Sequence, residues 1–195
     1  MTGQVDPQSA HPDDGAVLRI AGGDTAALGE LYDRHGGAVY GLALRILQDA
    51  PEAEEVVQDV FLHVWTHASR YDGGRASVTG WLLMMARSRA IDRLRARQSR
   101  PGNRTAAGDA DLIHLADTGL GQEAAAIIRQ SAERLQAAFR DLPETMRAAL
   151  ELAYYEGLTQ AAIAERLGEP LSTVKTRMRT GLLKLRAALE RAEAS

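Results

Sequence analysis

Residues 81–104 read WLLMMARSRAIDRLRARQSRPGNR, an apolar start that turns into a run of arginines: Arg87, Arg89, Arg93, Arg95, Arg97, Arg100 and Arg104. Asp92 is the only acid among them, and in a chain of formal net charge -3 the stretch is a local reversal of sign. At about 100° per residue, Leu83, Ala86, Ala90, Ile91 and Leu94 gather on one side of a helix. Arg89, Arg93, Arg97 and Arg100 line another side, with Trp81, Met85, Ser88 and Asp92 as a stripe beside them. Such a helix can bury one side and offer another to an anion. A solvated basic face has the same composition, so the rest of the chain has to decide.

Upstream, nearly every segment reads as helix. Asp24 is placed to cap TAALGELYDRH, whose Leu28, Leu31 and Tyr32 keep one face apolar. Gly36-Gly37 is expected to break or bend the path before AVYGLALRIL, and Pro51 marks the next helix start. In EAEEVVQDVFLHVWTHASR, Val56, Val57, Val60, Phe61, Val64 and Trp65 recur at helical spacing. Tyr71 to Gly74 ends that helix, and RASVTG is a short loop into Trp81. Little alternates with a period of two, so residues 15–100 are expected to form an all-helical domain. Met1 to Asp14 is polar, lacks the apolar core of a signal peptide, and is expected to be a disordered tail.

Downstream, residues 101–122 carry glycines, Pro101 and the acids Asp109, Asp111 and Asp117, the composition of a flexible acidic linker. Residues 123–195 read as a second helical domain, giving an all-α chain of two small domains. One helix covers Glu123 to Phe139, and Asp141-Leu-Pro-Glu144 opens another, with Glu144 where a capping box wants it. TQAAIAERL, the turn GEPL and STVKTRMRTGLLKLRAAL then have helix-turn-helix spacing, with Thr159 as the first cap. In the last helix Val174, Met178, Leu182, Leu185 and Leu189 fall in one narrow, buried arc. The opposite arc shows Ser172, Thr173, Thr176 and Thr180 among Lys175, Arg177, Arg179 and Lys184. Cations that hold phosphates, with short hydroxyls that let base edges approach, suit a helix lying in a major groove.

The composition excludes several function classes. There is no cysteine, which removes disulfides, thiolate-ligated zinc and thiol catalysis. No apolar run approaches the length of a membrane span, and the chain reads as soluble and cytoplasmic. His63 and His67 lie four apart, with Asp59 four before them, but no third strong ligand is suggested and HExxH is absent, so no metal site is assigned. No glycine-rich phosphate loop, nucleophile elbow or paired-carboxylate site appears, so neither catalytic residues nor a cofactor is expected. Charge is segregated: Glu30 to Asp59 is acidic, the two helices above are basic. That division suggests one anionic polymer and one protein surface as partners.

Taken together, LYDRHGGAVYGLALRILQDAPEAEEVVQDVFLHVW, GWLLMMARSRAIDRLRAR and LPETMRAALELAYYEGLTQAAIAERLGEPLSTVKTRMRTGLLKLR resemble an extracytoplasmic-function (group IV) sigma factor of bacterial RNA polymerase. The first two stretches resemble region 2 of that family and the third resembles region 4. The resemblance implies that Glu54, Glu55, Gln58 and Asp59 face the clamp helices of the polymerase β′ subunit, while Val56, Val57, Val60 and Phe61 pack inward. It implies that the Tyr71–Gly80 loop reads and opens the -10 promoter element with Trp81, Ser88, Arg89, Asp92, Arg93 and Arg97. Lys175, Thr176, Arg177, Arg179 and Thr180 would read the -35 element, with the β flap on the other face of that domain. The acidic linker would thread toward the RNA exit channel, and an anti-sigma protein would hold the factor inactive. Two departures stand out. Ser88 stands where the family commonly has asparagine, losing the two-ended amide that pairs with an adenine edge. Ala162 stands where a glutamate often completes a cap.

The rival reading is a stand-alone helix-turn-helix regulator whose N-terminal domain senses or dimerises. It leaves the arginine-rich helix without a task, and a purely protein-binding adaptor leaves both basic faces unexplained.

Overall fold

The computed structural model describes residues 12–98 and 134–193. All regular structure among them is helical. The expected linker and the start of the helix expected from Glu123 lie outside the described residues. The chain divides into two compact units, one built on the helices up to Ala90 and the other containing Ile91 onward and the C-terminal helices.

The helices α1 (Pro12–Ala21), α2 (Thr25–Leu47), α3 (Ala50–His67) and α4 (Val78–Gln98) follow one another, with a 3-10 turn at Ala68–Arg70; the first three and α4 as far as Ala90 make up the first unit. The expected tail boundary at Asp14 is therefore too late. Pro12 with Asp13 and Asp14 in the first turn is a helix start, and Ala16, Val17 and Ile20 bury their side chains. α2 is capped by Asp24, whose Oδ1 accepts from Ala26 N at 2.9 Å and Ala27 N at 3.1 Å.

The expected break at Gly36-Gly37 does not occur; α2 runs through both. Each glycine costs about 1 kcal/mol in a helix interior, whereas full burial of a leucine or valine contributes roughly 1.5–3 kcal/mol. Leu31, Val39 and Leu47 are all completely buried along α2, and their packing outweighs the local preference. α2 passes to α3 in two residues. Gln48 takes a left-handed conformation (φ 53°, ψ 32°) and donates to Leu44 O at 2.7 Å; Asp49 then accepts from Glu52 N at 3.0 Å.

Ser77 caps α4, its Oγ accepting from Gly80 N at 3.1 Å. From that start the buried residues advance in fours: Val78, Leu82, Ala86, Ala90 and Leu94, with Ile91 beside them. Leu83, expected on this side, is only half-buried; Leu82 takes its place because the register is set by Val78 and its cap.

The second unit contains helical residues 134–140 (α5), α6 (Glu144–Tyr155), α7 (Gln160–Leu167) and α8 (Leu171–Glu193). One apolar cluster joins Ala138, Leu142, Leu150 and Leu185; a second joins Ala149, Ile163, Ala164 and Val174, and Met178 touches both. The capping box expected from Asp141 and Glu144 does not form. Pro143 holds the cap position itself in an extended conformation and makes no side-chain cap bond, so Glu144 is the first helical residue instead of the fourth of a box. Leu182, expected in the buried arc of α8, is 56% exposed. Gly181 is buried there instead, where a Cβ would meet Leu150 Cδ1 at 3.0 Å, so the two helices approach closely.

Gln48 in the left-handed region is the backbone strain of the first unit. Left-handed geometry costs a side-chain-bearing residue roughly 1–2 kcal/mol, and helix ends use glycine there to avoid it. Gln48→Gly is expected to raise the urea midpoint, by about 0.5–1 kcal/mol of stability once the added freedom of the unfolded glycine is subtracted.

Candidate nucleic-acid and partner interfaces

The arginine-rich helix keeps its two sides apart. With the Val78-to-Leu94 ladder buried, Ser88 and Asp92 are exposed, and Arg89, Arg93 and Arg97 are partly exposed around them. Met84, one turn before Ser88, is 68% exposed and heads this outer stripe, a place the sequence reading gave to Met85. The signal for it was its spacing of four from Ser88. Trp81 is half-buried, its ring 5.1 Å from that of Tyr71 at 41°. It is thus both packed and partly open to the loop Tyr71–Gly80.

That loop is anchored by residues the sequence reading did not single out. The Tyr71 hydroxyl lies 2.9 Å from Oδ1 of Asp14 and 3.0 Å from the Ala76 carbonyl, sharing its proton between two acceptors. Burial, and then the bond to Asp14, push the Tyr71 pKa well above its ordinary value, so the phenol stays a donor throughout the physiological range. Asp13 beside it accepts from Nε2 of buried His35 at 2.8 Å and pairs with Arg34. α1 therefore straps α2 to the loop in front of Trp81. Pro12-Asp13-Asp14 has the composition of a helix start but reads as tail in the sequence, and nothing there announces that its carboxylates reach as far along the chain as Tyr71.

On α3, Ala53, Val56, Val57, Val60, Phe61 and Val64 are buried, while Glu54, Glu55 and Gln58 are exposed and Asp59 is half-buried. A groove of about 460 Å3 runs between α2 and α3, lined by Tyr32, Gly36, Gly37, Tyr40, Glu54 and Gln58 among others. Tyr32 packs against Phe61 with ring centroids 4.9 Å apart and the planes tilted by 60°. The glycines thus keep the wall of an acid-rimmed groove open, a role their number in the sequence did not announce. At the far end of α3 the His63 and His67 rings stack, 4.1 Å apart and 10° from parallel.

In the second unit, Thr159 caps α7 by accepting from Ala162 N at 3.2 Å. α7 ends in a Schellman motif: Gly168 has φ 65°, its N–H donates to Glu165 O, and Glu169 N–H donates to Ala164 O at 2.9 Å. This turn aims α8. Lys175, Thr176 and Arg179 are exposed; Arg177 and Thr180 are half-buried. Arg177 is ion-paired with Glu169 across the turn, so its guanidinium is oriented before any ligand arrives. A shallow cleft of about 290 Å3 lies among Ser172, Thr173, Thr176 and Arg177. The Thr176 hydroxyl donates to Ser172 O at 2.9 Å and keeps its lone pairs outward. Glu169 is the residue missed here; its position directly after the turn glycine was the available sign.

The strap gives a stability prediction. Tyr71→Phe removes both hydrogen bonds and is expected to cost about 1–2 kcal/mol. Asp14→Asn, which keeps an acceptor oxygen for the same hydroxyl, is expected to cost clearly less. Urea denaturation of the two variants compares them directly.

Comparison with known proteins matches residues 31–100 to the Sigma-70 region 2 family and residues 138–187 to the Sigma-70 region 4 family. The ECF RNA polymerase sigma factor SigK of Mycobacterium tuberculosis (strain ATCC 25618 / H37Rv) is 38% identical over 97% of this chain and 99% of its own length. SigK of Mycobacterium ulcerans (strain Agy99) is 41% identical, again over 97% and 99%. Among solved structures, Rhodobacter sphaeroides SigE in complex with the anti-sigma ChrR is 35% identical, covering 92% of this chain and 99% of that one, with a TM-score of 0.46. The region 2 match contains the groove on α2 and α3 and the arginine helix, the region 4 match contains the helix-turn-helix, and the chain belongs to the extracytoplasmic-function sigma factors.

Proposed function

We propose that the chain is an alternative sigma factor that joins core RNA polymerase, reads a promoter through both basic helices and helps to part the strands. It acts as a cytoplasmic initiation factor, with no catalysis of its own. The observation that carries this reading is the division of α4: a fully buried ladder from Val78 to Leu94 opposite an exposed stripe of Met84, Ser88 and Asp92 flanked by arginines.

Opening DNA without ATP requires binding energy to replace stacking and pairing. Extruding one base costs a few kcal/mol, and stacking on an aromatic side chain returns about 1–3 kcal/mol. Trp81, fixed on one side by Tyr71, supplies the aromatic wall, and Arg89, Arg93 and Arg97 hold the backbone of the displaced strand. Ser88 offers one hydroxyl to the -10 bases. With a single donor-acceptor group it discriminates less sharply for adenine than a carboxamide would. On α8, Lys175 and Arg179 take phosphates while Thr176, Thr180 and the braced Arg177 approach the -35 bases. Glu54, Glu55, Gln58 and Asp59 offer the acidic face of α3 to the β′ clamp helices, and the region 4 unit receives the β flap. Family membership supports control by an anti-sigma protein.

Two experiments test the DNA-reading assignments. Replacing Arg89, Arg93 and Arg97 by alanine is expected to reduce permanganate reactivity of the promoter bubble at least tenfold while holoenzyme still assembles; an unchanged bubble would refute the role of α4. Glu169→Ala is expected to weaken -35-dependent initiation several-fold and to relax base preference at one -35 position, as Arg177 loses its brace. An equal loss on promoters lacking a -35 element would instead mark Glu169 as purely structural.

A further inference from the structure

We propose that His63, His67, Arg70 and Arg89 form an additional phosphate site for promoter DNA at the C-terminal end of α3, beyond the arginine face of α4. The inference rests on the reading of the first unit as the -10 element's partner. It adds contacts from a second helix, and it makes DNA affinity depend on pH.

The cluster is built from groups that carry or accept a proton, and among the described residues its two arginines have no ion-pair partner. His63 and His67 stack face to face at 4.1 Å. Arg70 follows in the 3-10 turn and Arg89 approaches from α4; among the described residues neither arginine makes an ion pair. The charges acting on His63 are those of His67, Arg89 and Arg70, all of one sign. The nearest acids along the chain are Asp59, one turn earlier on α3, and Asp72, whose carboxylate accepts from Gly74 N at 3.0 Å.

A structural role for these histidines would be to complement the negative end of the α3 dipole, which favours a protonated ring. The His63 pKa moves the other way. Partial burial, and then the neighbouring cations, hold it below the usual histidine value. Among the described residues, the charges that act on His63 thus add up to a positive potential with no anion among them. A phosphate placed there reverses the balance and favours protonation.

His67 is held against His63 by a hydrogen bond of its own. The Thr66 hydroxyl donates to the Leu62 carbonyl at 2.9 Å and lies 2.7 Å from His67 Nδ1, where it accepts from the ring N–H. With Nδ1 engaged in that bond, Nε2 is the ring nitrogen left to meet a phosphate. The sign follows: a His63 pKa that is low in free protein and raised by bound phosphate makes DNA binding take up a proton, so affinity rises as pH falls.

The test uses holoenzyme and a promoter fragment from which it initiates, with the non-template strand unpaired at -10, read by fluorescence anisotropy between about pH 6 and pH 8. Wild type is expected to tighten several-fold more toward low pH than the double variant His63→Gln, His67→Gln. Arg70→Ala is expected to weaken binding three- to tenfold and to lower the salt slope by about one unit. Identical pH profiles and salt slopes in wild type and variants, or a loss confined to core-polymerase affinity, would overturn the proposal. Arg93→Ala separates the two readings. If it weakens binding while the histidine variants do not, only the new site fails; if it too changes nothing, the DNA role of the whole first unit fails.

Discussion

α4 has to bury one side completely and remain cationic on the other. Val78, Leu82, Ala86, Ala90 and Leu94 meet the first demand at intervals of four, a row that drifts by about 40° per step and that Ile91, three before Leu94, broadens into a face. Ala86 and Ala90 are small, so the helix can seat close to its neighbours without long side chains that would tilt it. Everything attributed to its outer stripe depends on that seat. Were the register shifted by one residue to Leu83, Ser88 and Asp92 would turn by about 100° and the arginine face would turn with them.

The register is held from the ends rather than from the middle. Ser77 fixes where α4 begins, and the loop before it is tied by Tyr71 to Asp14 of α1. Asp24 and Asp49 cap α2 and α3, and the left-handed Gln48 joins them with almost no intervening chain. In the second unit, Thr159 and Gly168 do the same for α7, so that α8 emerges in a set direction with Arg177 already paired to Glu169. In both units, polar groups at helix ends place the residues proposed to face DNA, and apolar burial keeps them there.

The sequence was most informative where periodicity and chemistry agreed. The apolar and acidic faces of α3, the caps at Asp24 and Thr159, and the helix-turn-helix were all legible because each depends on residues within a turn or two. It misled where packing overrode local preference. Gly36-Gly37 looked like a break but sits in one helix beside an open groove. Leu182 looked buried until Gly181 was seen to take the close approach to Leu150. Tyr71 with Asp14, His35 with Asp13 and Arg177 with Glu169 were invisible to periodicity, since side-chain pairs across loops and between helices leave no periodic trace.

The central claim is that the two basic helices, α4 and α8, act on a single promoter only when the chain is part of RNA polymerase. Transcription start mapping with sigma-free core polymerase, with and without this chain, on a library of randomised promoters tests it most directly. The account predicts that starts appear only with both components, at a fixed distance downstream of paired -35 and -10 sequences. Tight binding of the chain alone to duplex DNA, with no starts added by core, would contradict it.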